Sequence, residues 1–470
     1  MEYEQLREHF RLFGQEHVLQ FWPELSSDQQ RDLLNQIQTI DLDLIAQLTE
    51  KNILYLRKGL TRHDDLKPIA IIPIPRTAQQ QHAADQARVA GEELLRSGKV
   101  GIILVAGGQG TRLGFSGAKG LFPITPVKKK TLFQLHAEKI LALSHRYQVT
   151  LPWYIMTSEI NDDEIRDYFA ANRYFGLTPD GVFFFQQQMM PAVSPQGKLF
   201  LASKHRVFTN PNGHGGTLSA LRQSGALADM TQRGIEELFY FQVDNVLLRI
   251  CDPIFIGYHR QAKAEMSSKV VIKRDPYEKI GVIGYLDDKL TVIEYSDLSE
   301  KQMNVRAAGG TLKYGAGSIA IHLLQRDFIT QLTTGNFSLP YHLAHKNIPY
   351  LDAVGNLIQP AHPNGYKFEM FIFDALQYTI HSVVMEIERA EEFSPVKNAN
   401  GEDSPASAEQ DLCNLYGRWL TAAGITVPRN SQTGNVSGKL EISPLFALDQ
   451  EEFVAKAKAG LEFQDSLYLE

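Results

Sequence analysis

Two cysteines in 470 residues, Cys251 and Cys413, are too few for a disulfide framework or a cysteine-built zinc cluster. That scarcity suits a reducing compartment. The N-terminus, MEYEQLREHFRLFG, is charged and lacks the apolar core and cleavage site of a secretory leader. A cytoplasmic protein is therefore expected. No run approaches eighteen consecutive apolar residues, so no membrane-spanning helix is expected. Basic charge is not in excess either: 47 Lys+Arg stand against 54 Asp+Glu, a formal net charge of −7. Nothing in that balance draws the chain to nucleic acid or an anionic membrane, so local groups must do any anion binding. Internal repeats and long low-complexity tracts are absent from the sequence as well.

What is present is an ordinary globular composition, 43% apolar and 21% charged, in a chain too long for one core. Residues 1–97 read as a helical N-terminal region. Ser26 and Gln29 form a capping-box pattern ahead of Leu33, Leu34, Ile37 and Ile40 at helical spacing. KPIAIIPIPR (67–76), with three prolines, reads as an extended connector, and a helix is expected over 81–97, closed by Gly98. From Val100 short apolar runs alternate with helical stretches. Strands are expected at 100–105, 153–157, 182–186, 238–243 and 269–273, and helices at 131–145, 162–171 and 216–232. This alternation predicts an α/β domain over 98–400, a mostly parallel sheet covered by helices. GVIGYLDDKLTVIEYS (281–296) predicts a hairpin turning at Asp287–Asp288. The polar stretch 394–410 reads as a loop and boundary, leaving a small C-terminal domain over 401–470.

The densest signal is LVAGGQGTRLGFSGAKG (104–120), an apolar strand running into a loop with six glycines. Its spacing fits neither familiar phosphate loop. A Walker loop needs Gly-Lys followed by Ser or Thr, and here Lys119 precedes Gly120. A dinucleotide fingerprint needs G-x-G-x-x-G, and Gly108, Gly110 and Gly114 are one residue too widely spaced. What remains is a turn exposing backbone N–H groups, with Arg112 able to fork onto phosphate oxygens and Lys119 a movable point charge. Read alone, PNGHGG (211–216) is as readily an ordinary turn as an anion site. Asp244, ending the apolar QVDN strand, would alone be a cap, and Lys397 and Lys367 would be solvated lysines.

In their order the motifs say more. FFQQQMMPA, PNGHGG, QVDN, IGVIG, VIEYSDLS, KNIPYLD, PNGYKFEMFIFD and EEFSPVKNA follow the glycine loop across nearly the whole chain. Together they resemble the eukaryotic-type UDP-sugar pyrophosphorylase family, its UDP-N-acetylhexosamine branch above all. The resemblance implies a nucleotide-diphospho-sugar transferase core, a glycosyltransferase-A-like, Rossmann-like mixed sheet, between a helical N-terminal region and a small C-terminal domain. It implies an enzyme that, with Mg²⁺, converts UTP and a sugar 1-phosphate into a UDP-sugar and pyrophosphate.

The resemblance also implies roles. Val105, Ala106, Gly107 and Gly108 would pack on uracil and ribose, Gln187 and Gly213 would read uracil, and Lys367 would reach a nucleotide phosphate. Arg112 and Lys119 would grip the triphosphate, Lys397 would hold the sugar phosphate, and Asp244 would bind the metal and nucleotide. Gly281, Glu294 and Tyr295 would contact the sugar, and Phe373 would line an N-acetyl pocket. Two sugar-site positions depart from the branch: His214 and Ser318 each stand where it has asparagine. N-Acetylglucosamine 1-phosphate is the expected substrate. A UDP-glucose or broad-specificity pyrophosphorylase remains an alternative, and a catalytically silent nucleotide-sugar binder a distant one.

Overall fold

A computed structural model describes residues 3–58, 65–335, 337–458 and 460–470. The chain forms two compact units, each assembled from separated segments. One comprises Met1–Asp64, Gln187–Thr217 and Ser338–Asp374; the other comprises Asp65–Gln186, Leu218–Phe337 and Ala375–Glu470. The divisions expected after residues 97 and 400 both fall inside the larger unit. The reason is packing. The Ala78–Arg96 helix meets the Pro253–Gln261 helix backbone to backbone: a Cβ on Gly91 would lie 1.9 Å from the Pro253 carbonyl oxygen, and one on Gly257 1.7 Å from that of Ala87. The C-terminal residues Leu412, Trp419, Leu440 and Phe453 share one core with Leu104 and Phe241 of the sheet.

In the smaller unit, helices Tyr3–Leu12 and Ser27–Ile37 bury one apolar stripe each, the helix Leu42–Lys58 follows with Leu42 and Ile45 buried, and Ser26 and Gln29 form the predicted capping box. Leu6, Phe10, Leu33 and Ile37 pack with Leu199, Val207 and Phe368. The Gln36 amide donates to the Val207 carbonyl at 3.1 Å and accepts from its N–H at 2.8 Å, fixing the helix on a short hairpin. Strand Gly365–Met370 pairs antiparallel with Tyr341–Lys346. The strand stops at Met370, and Phe371 and Phe373 of the PNGYKFEMFIFD motif lie beyond it.

The larger unit is built on a ten-stranded sheet. Val100–Val105 lies between Glu237–Gln242 and Trp153–Thr157, and Val182–Gln186 follows on the outer side, all parallel. These four strands and Met266–Ile272 are the five expected from the sequence. The sheet is mixed, as the family resemblance implies, and not mostly parallel as the strand–helix alternation alone predicts. Ala316–Gln325, not anticipated, pairs antiparallel with both Glu237–Gln242 and Met266–Ile272. Its start, YGAGSIA, carries the small residues of a turn; Gly317 is needed because a Cβ there would press on Ile280 and the Val271 carbonyl at 3.0–3.1 Å. The predicted hairpin forms from Val282–Leu286 and Lys289–Ile293, with Asp287 and Asp288 both at positive φ. The expected connector is an edge instead: Lys67–Pro68 pairs with the hairpin, and Ile72 bridges to Met385. The 216–232 helix is two, Thr217–Gln223 and Ala226–Gln232, broken at Gly225 with φ +83°.

Candidate active site

Open α/β sheets present their ligand loops at the carboxyl ends of the parallel strands. Here Val105 and Gln242 end side by side, and the Val243 N–H donates to the Val105 carbonyl at 3.2 Å. The glycine loop and Asp244 therefore leave the sheet together. Neighbouring side chains hold the loop. Asn161 donates to the Ala106 carbonyl at 3.1 Å and Ser158 to that of Gly107 at 3.1 Å. Lys119 N–H donates to the Gly108 carbonyl at 3.1 Å, and the Glu164 carboxylate accepts from Ala118 N–H at 2.9 Å. Glu164 also explains Gly117, at φ +130°, whose Cβ would lie 2.6 Å from that carboxylate. The outcome is a presented lysine: Lys119 Nζ donates to Asp244 Oδ2 at 2.8 Å, both side chains mostly buried. Burial disfavours the Asp244 carboxylate, but Lys119 and then Lys397 outweigh it and hold the carboxyl below its ordinary range.

Lys397 arrives on a loop stitched to the same strand end. Asn245 donates to the Glu392 carbonyl at 2.7 Å and accepts from Ser394 N–H at 2.9 Å, while Val396 N–H donates to the Asp244 carbonyl at 3.0 Å. Lys397 Nζ is 3.9 Å from Asp403. Asp244, Lys397, Ser318 and Phe393 line a hollow of about 80 Å³. Ser318 N–H donates to the Gly281 carbonyl at 2.8 Å, and a Cβ on Gly281 would be 3.7 Å from Glu294 Oε1. Gly281, Glu294 and Ser318 are thus brought together. Tyr295 follows on the short Tyr295–Asp297 turn, 37% exposed. Arg112 stands on the exposed Thr111–Leu113 turn with no hydrogen bond or ion pair to a described residue.

The sequence did not reveal what holds these groups. His136 Nε2 donates to the Val243 carbonyl at 3.0 Å, and Lys139 Nζ donates to those of Val246 and Leu248, both at 2.8 Å. Burial pushes His136 down to about 3 and Lys139 to about 7. Glu392 ion-pairs with fully buried Lys269, which also binds Asp252 at 2.7 Å. A pair of neutral partners would leave no such trace in spacing; only Asn245, adjacent to Asp244 in QVDN, carried a local hint.

In the smaller unit, Gly213 opens the His214–Gly216 turn at φ +86°. Only glycine fits there, because a Cβ would lie 2.4 Å from the Met370 carbonyl. Ile372 N–H donates to His214 Nδ1 at 3.2 Å, which places the proton of the neutral ring on Nε2. Burial, with the His342 charge adding to it, lowers His214 to about 4. His342 donates to Asp374 at 2.7 Å and stacks on Phe371, itself stacked on Phe373 at 5.1 Å. His342 and Asp374 are further residues the motifs did not single out. Gln187 is buried. Lys367 Nζ lies 5.4 Å from the Phe208 ring centroid; burial and then Lys346 hold it below the usual lysine range despite Glu369.

Among the described residues no group of three or more His, Cys, Asp or Glu is placed to hold a metal. The donor set is one carboxylate, Asp244. That suits a hard cation such as Mg²⁺, which takes one or two carboxylates and completes its shell with substrate phosphates and water.

This arrangement of glycine loop, lysines and aspartate on a mixed α/β sheet defines a nucleotidyltransferase-type site, and the chain belongs to the family described as UTP–glucose-1-phosphate uridylyltransferase, whose profile matches residues 51–427. Within it, the chain is 35% identical to a human UDP-N-acetylhexosamine pyrophosphorylase-like protein 1, over 97% of this chain and 95% of the relative. It is 35% identical to the UDP-N-acetylglucosamine pyrophosphorylase of Saccharomyces cerevisiae, covering 91% of this chain and 93% of the relative. The crystal structure of the Trypanosoma brucei UDP-N-acetylglucosamine pyrophosphorylase shares the fold at a TM-score of 0.81 and 23% identity, over 99% and 98% of the two chains.

Proposed function

We propose that this protein is a uridylyltransferase that joins UTP and N-acetylglucosamine 1-phosphate into the UDP-sugar, releasing pyrophosphate. The observation that carries the reading is the Lys119–Asp244 pair, whose aspartate lines one hollow with Lys397 and Ser318. The sugar-phosphate oxygen attacks the α-phosphorus in line as the bond to pyrophosphate breaks. The nucleophile is already an anion, so no general base is required. Positioning and charge stabilisation carry such a reaction. Lys119 and exposed Arg112 face charge on the departing pyrophosphate, and Lys397 holds the sugar phosphate. Asp244 would hold Mg²⁺, which supplies charge neutralisation on the phosphates when bound. From the resemblance, Val105 to Gly108, Gln187 and Gly213 take the nucleoside, Lys367 a nucleotide phosphate, and Gly281, Glu294, Tyr295 and Phe373 the sugar.

A second reading, a UDP-glucose or broad-specificity enzyme, is favoured by His214 and Ser318. A panel of sugar 1-phosphates assayed with UTP by pyrophosphate release separates the two. N-Acetylglucosamine 1-phosphate is expected to give the highest kcat/KM; a higher value for glucose 1-phosphate would overturn that assignment, and no release with any sugar would overturn the reaction class.

A further inference from the structure

The strand Ala316–Gln325 departs from a regular ladder at one place. Ser268 pairs with His322 and Val270 with Ser318, so Ile319, Ala320 and Ile321 stand opposite Lys269 alone. A regular antiparallel pair sets a single residue there, so the strand bulges. The bulge turns at Ala320, whose φ of +56° lies in the left-handed region that residues with a Cβ rarely take. Ile319 and Ile321, on either side, are buried in the core that holds Phe241 and Val271, which pins the bulge in place.

On its other side the same strand pairs with Glu237–Gln242 as far as His322 and Tyr240. Beyond that pair the two strands part. The residues of both parted ends, Phe241 and Gln242 on one and Ser318 to Ile321 on the other, line the hollow that Asp244 and Lys397 also line. Had the strand stayed regular, Ile321 and Ala320 would have continued the ladder against Phe241 and Gln242 and closed that space. The bulge therefore opens the hollow and sets Ser318 on its wall. Lys269, opposite the bulge, is the fully buried lysine that pairs with Glu392, whose carbonyl takes the Asn245 amide. The bulged strand and the loop of Lys397 thus share one buried anchor.

We propose that Ala320 is a positioning residue for the sugar 1-phosphate, acting through the bulge: it holds the hollow open and keeps Ser318 on the wall shared with Lys397. Glycine would take this φ without steric strain, so alanine stands there against the preference of the backbone. Backbone strain of this kind gathers where a site must be preset, and bulges beside sites re-aim side chains. The methyl group restricts the conformations open to the bulge and narrows the hollow it lines.

The identity of the ligand rests on the uridylyltransferase reading. The test uses Ala320→Gly and Ala320→Asn in the full chain, because both residues tolerate a positive φ. Glycine frees the bulge; asparagine adds bulk to the wall. UDP-N-acetylglucosamine, which carries the sugar phosphate, is titrated calorimetrically, and its Kd is expected to rise about fivefold in each variant. The Kd for UTP, which carries no sugar, is expected to stay within about twofold. In turnover the KM for N-acetylglucosamine 1-phosphate should rise by about the same fivefold while that for UTP holds. The urea midpoint of Ala320→Gly should be no lower than that of the native chain, since the substitution relieves steric strain. Lost sugar binding then cannot come from a weakened fold. An unchanged Kd for the UDP-sugar in Ala320→Gly overturns the proposal. So does an equal loss for UTP, or a lowered midpoint, either of which would make the role structural. If Ala320→Asn does not fold, the glycine variant decides alone. A native chain that releases no pyrophosphate with any sugar loses the catalytic reading, while the two titrations still decide Ala320. A native chain that binds neither nucleotide overturns both.

Discussion

Lys119 is the residue on which the catalytic reading most depends. Its ammonium is the partner of Asp244, and in the proposed function it faces the departing pyrophosphate. Lys119→Ala is expected to lower kcat by about 10²–10³, the cost of removing one preorganised charge-stabilising group. Steady-state pyrophosphate release measures it, and near-normal turnover would remove Lys119 from the site. His136 makes a different prediction, about stability. It is fully enclosed, its Nε2 serves the Val243 carbonyl, and its Nδ1 has no partner to receive a proton against. With its folded value near 3 and its ordinary value 6.5, the unfolded chain binds more protons between those limits. Stability from this group is therefore complete above pH 6.5 and is lost as pH falls toward 3. Urea midpoints measured from pH 7 to pH 4 should fall for the native chain, and His136→Gln should flatten that slope. Equal slopes would show that His136 is not held neutral by burial.

At the scale of elements, the decisive piece is the loop that carries Lys397. Read alone, FSPVKNA is a polar connection, and only the ordered run of motifs singles out its lysine. In the fold it is fastened by Asn245, by the Asp244 carbonyl, and by the buried Glu392–Lys269–Asp252 ion triad. Asn245→Ala removes two of those hydrogen bonds. It is expected to cost about 1–3 kcal/mol in denaturant-monitored stability. Turnover is expected to fall more sharply, on the order of tenfold to a hundredfold, because a misplaced Lys397 meets its phosphate poorly. A matched loss in KM for UTP with kcat intact would mean that the loop serves nucleotide binding instead. The glycine loop shows the contrast between pattern and contact. Its turn chemistry is plain in the sequence, but the residue that locks it, Glu164, lies 46 positions after Ala118 and has no motif of its own.

At the scale of the molecule, discontinuous segments build each unit, and most phosphate-facing candidates lie in the larger one. UTP should therefore stabilise that unit. In a Trp22→Phe variant the remaining tryptophans, Trp153 and Trp419, both belong to it and report its unfolding. UTP at a hundredfold excess over its Kd, with Mg²⁺, is expected to add about 2.7 kcal/mol, seen as a rise in their thermal transition. An unmoved transition would place nucleotide binding elsewhere.

The sequence by itself determined the family, the five strands it predicted and the hairpin, because periodicity and turn chemistry are local properties. It also named Lys119, Asp244 and Lys397, because their motifs run in one order along nearly the whole chain. Only the tertiary structure decided which strands run antiparallel, that residues 78–96 and the C-terminal stretch belong to one core, and that Arg112 stands free of the Lys119–Asp244 pair. It alone brought His136, Lys139, Glu164 and Asn245 to the backbone they hold. Those contacts join residues dozens to more than a hundred positions apart, and a buried polar side chain aimed at a distant carbonyl leaves no periodic trace in the chain that carries it.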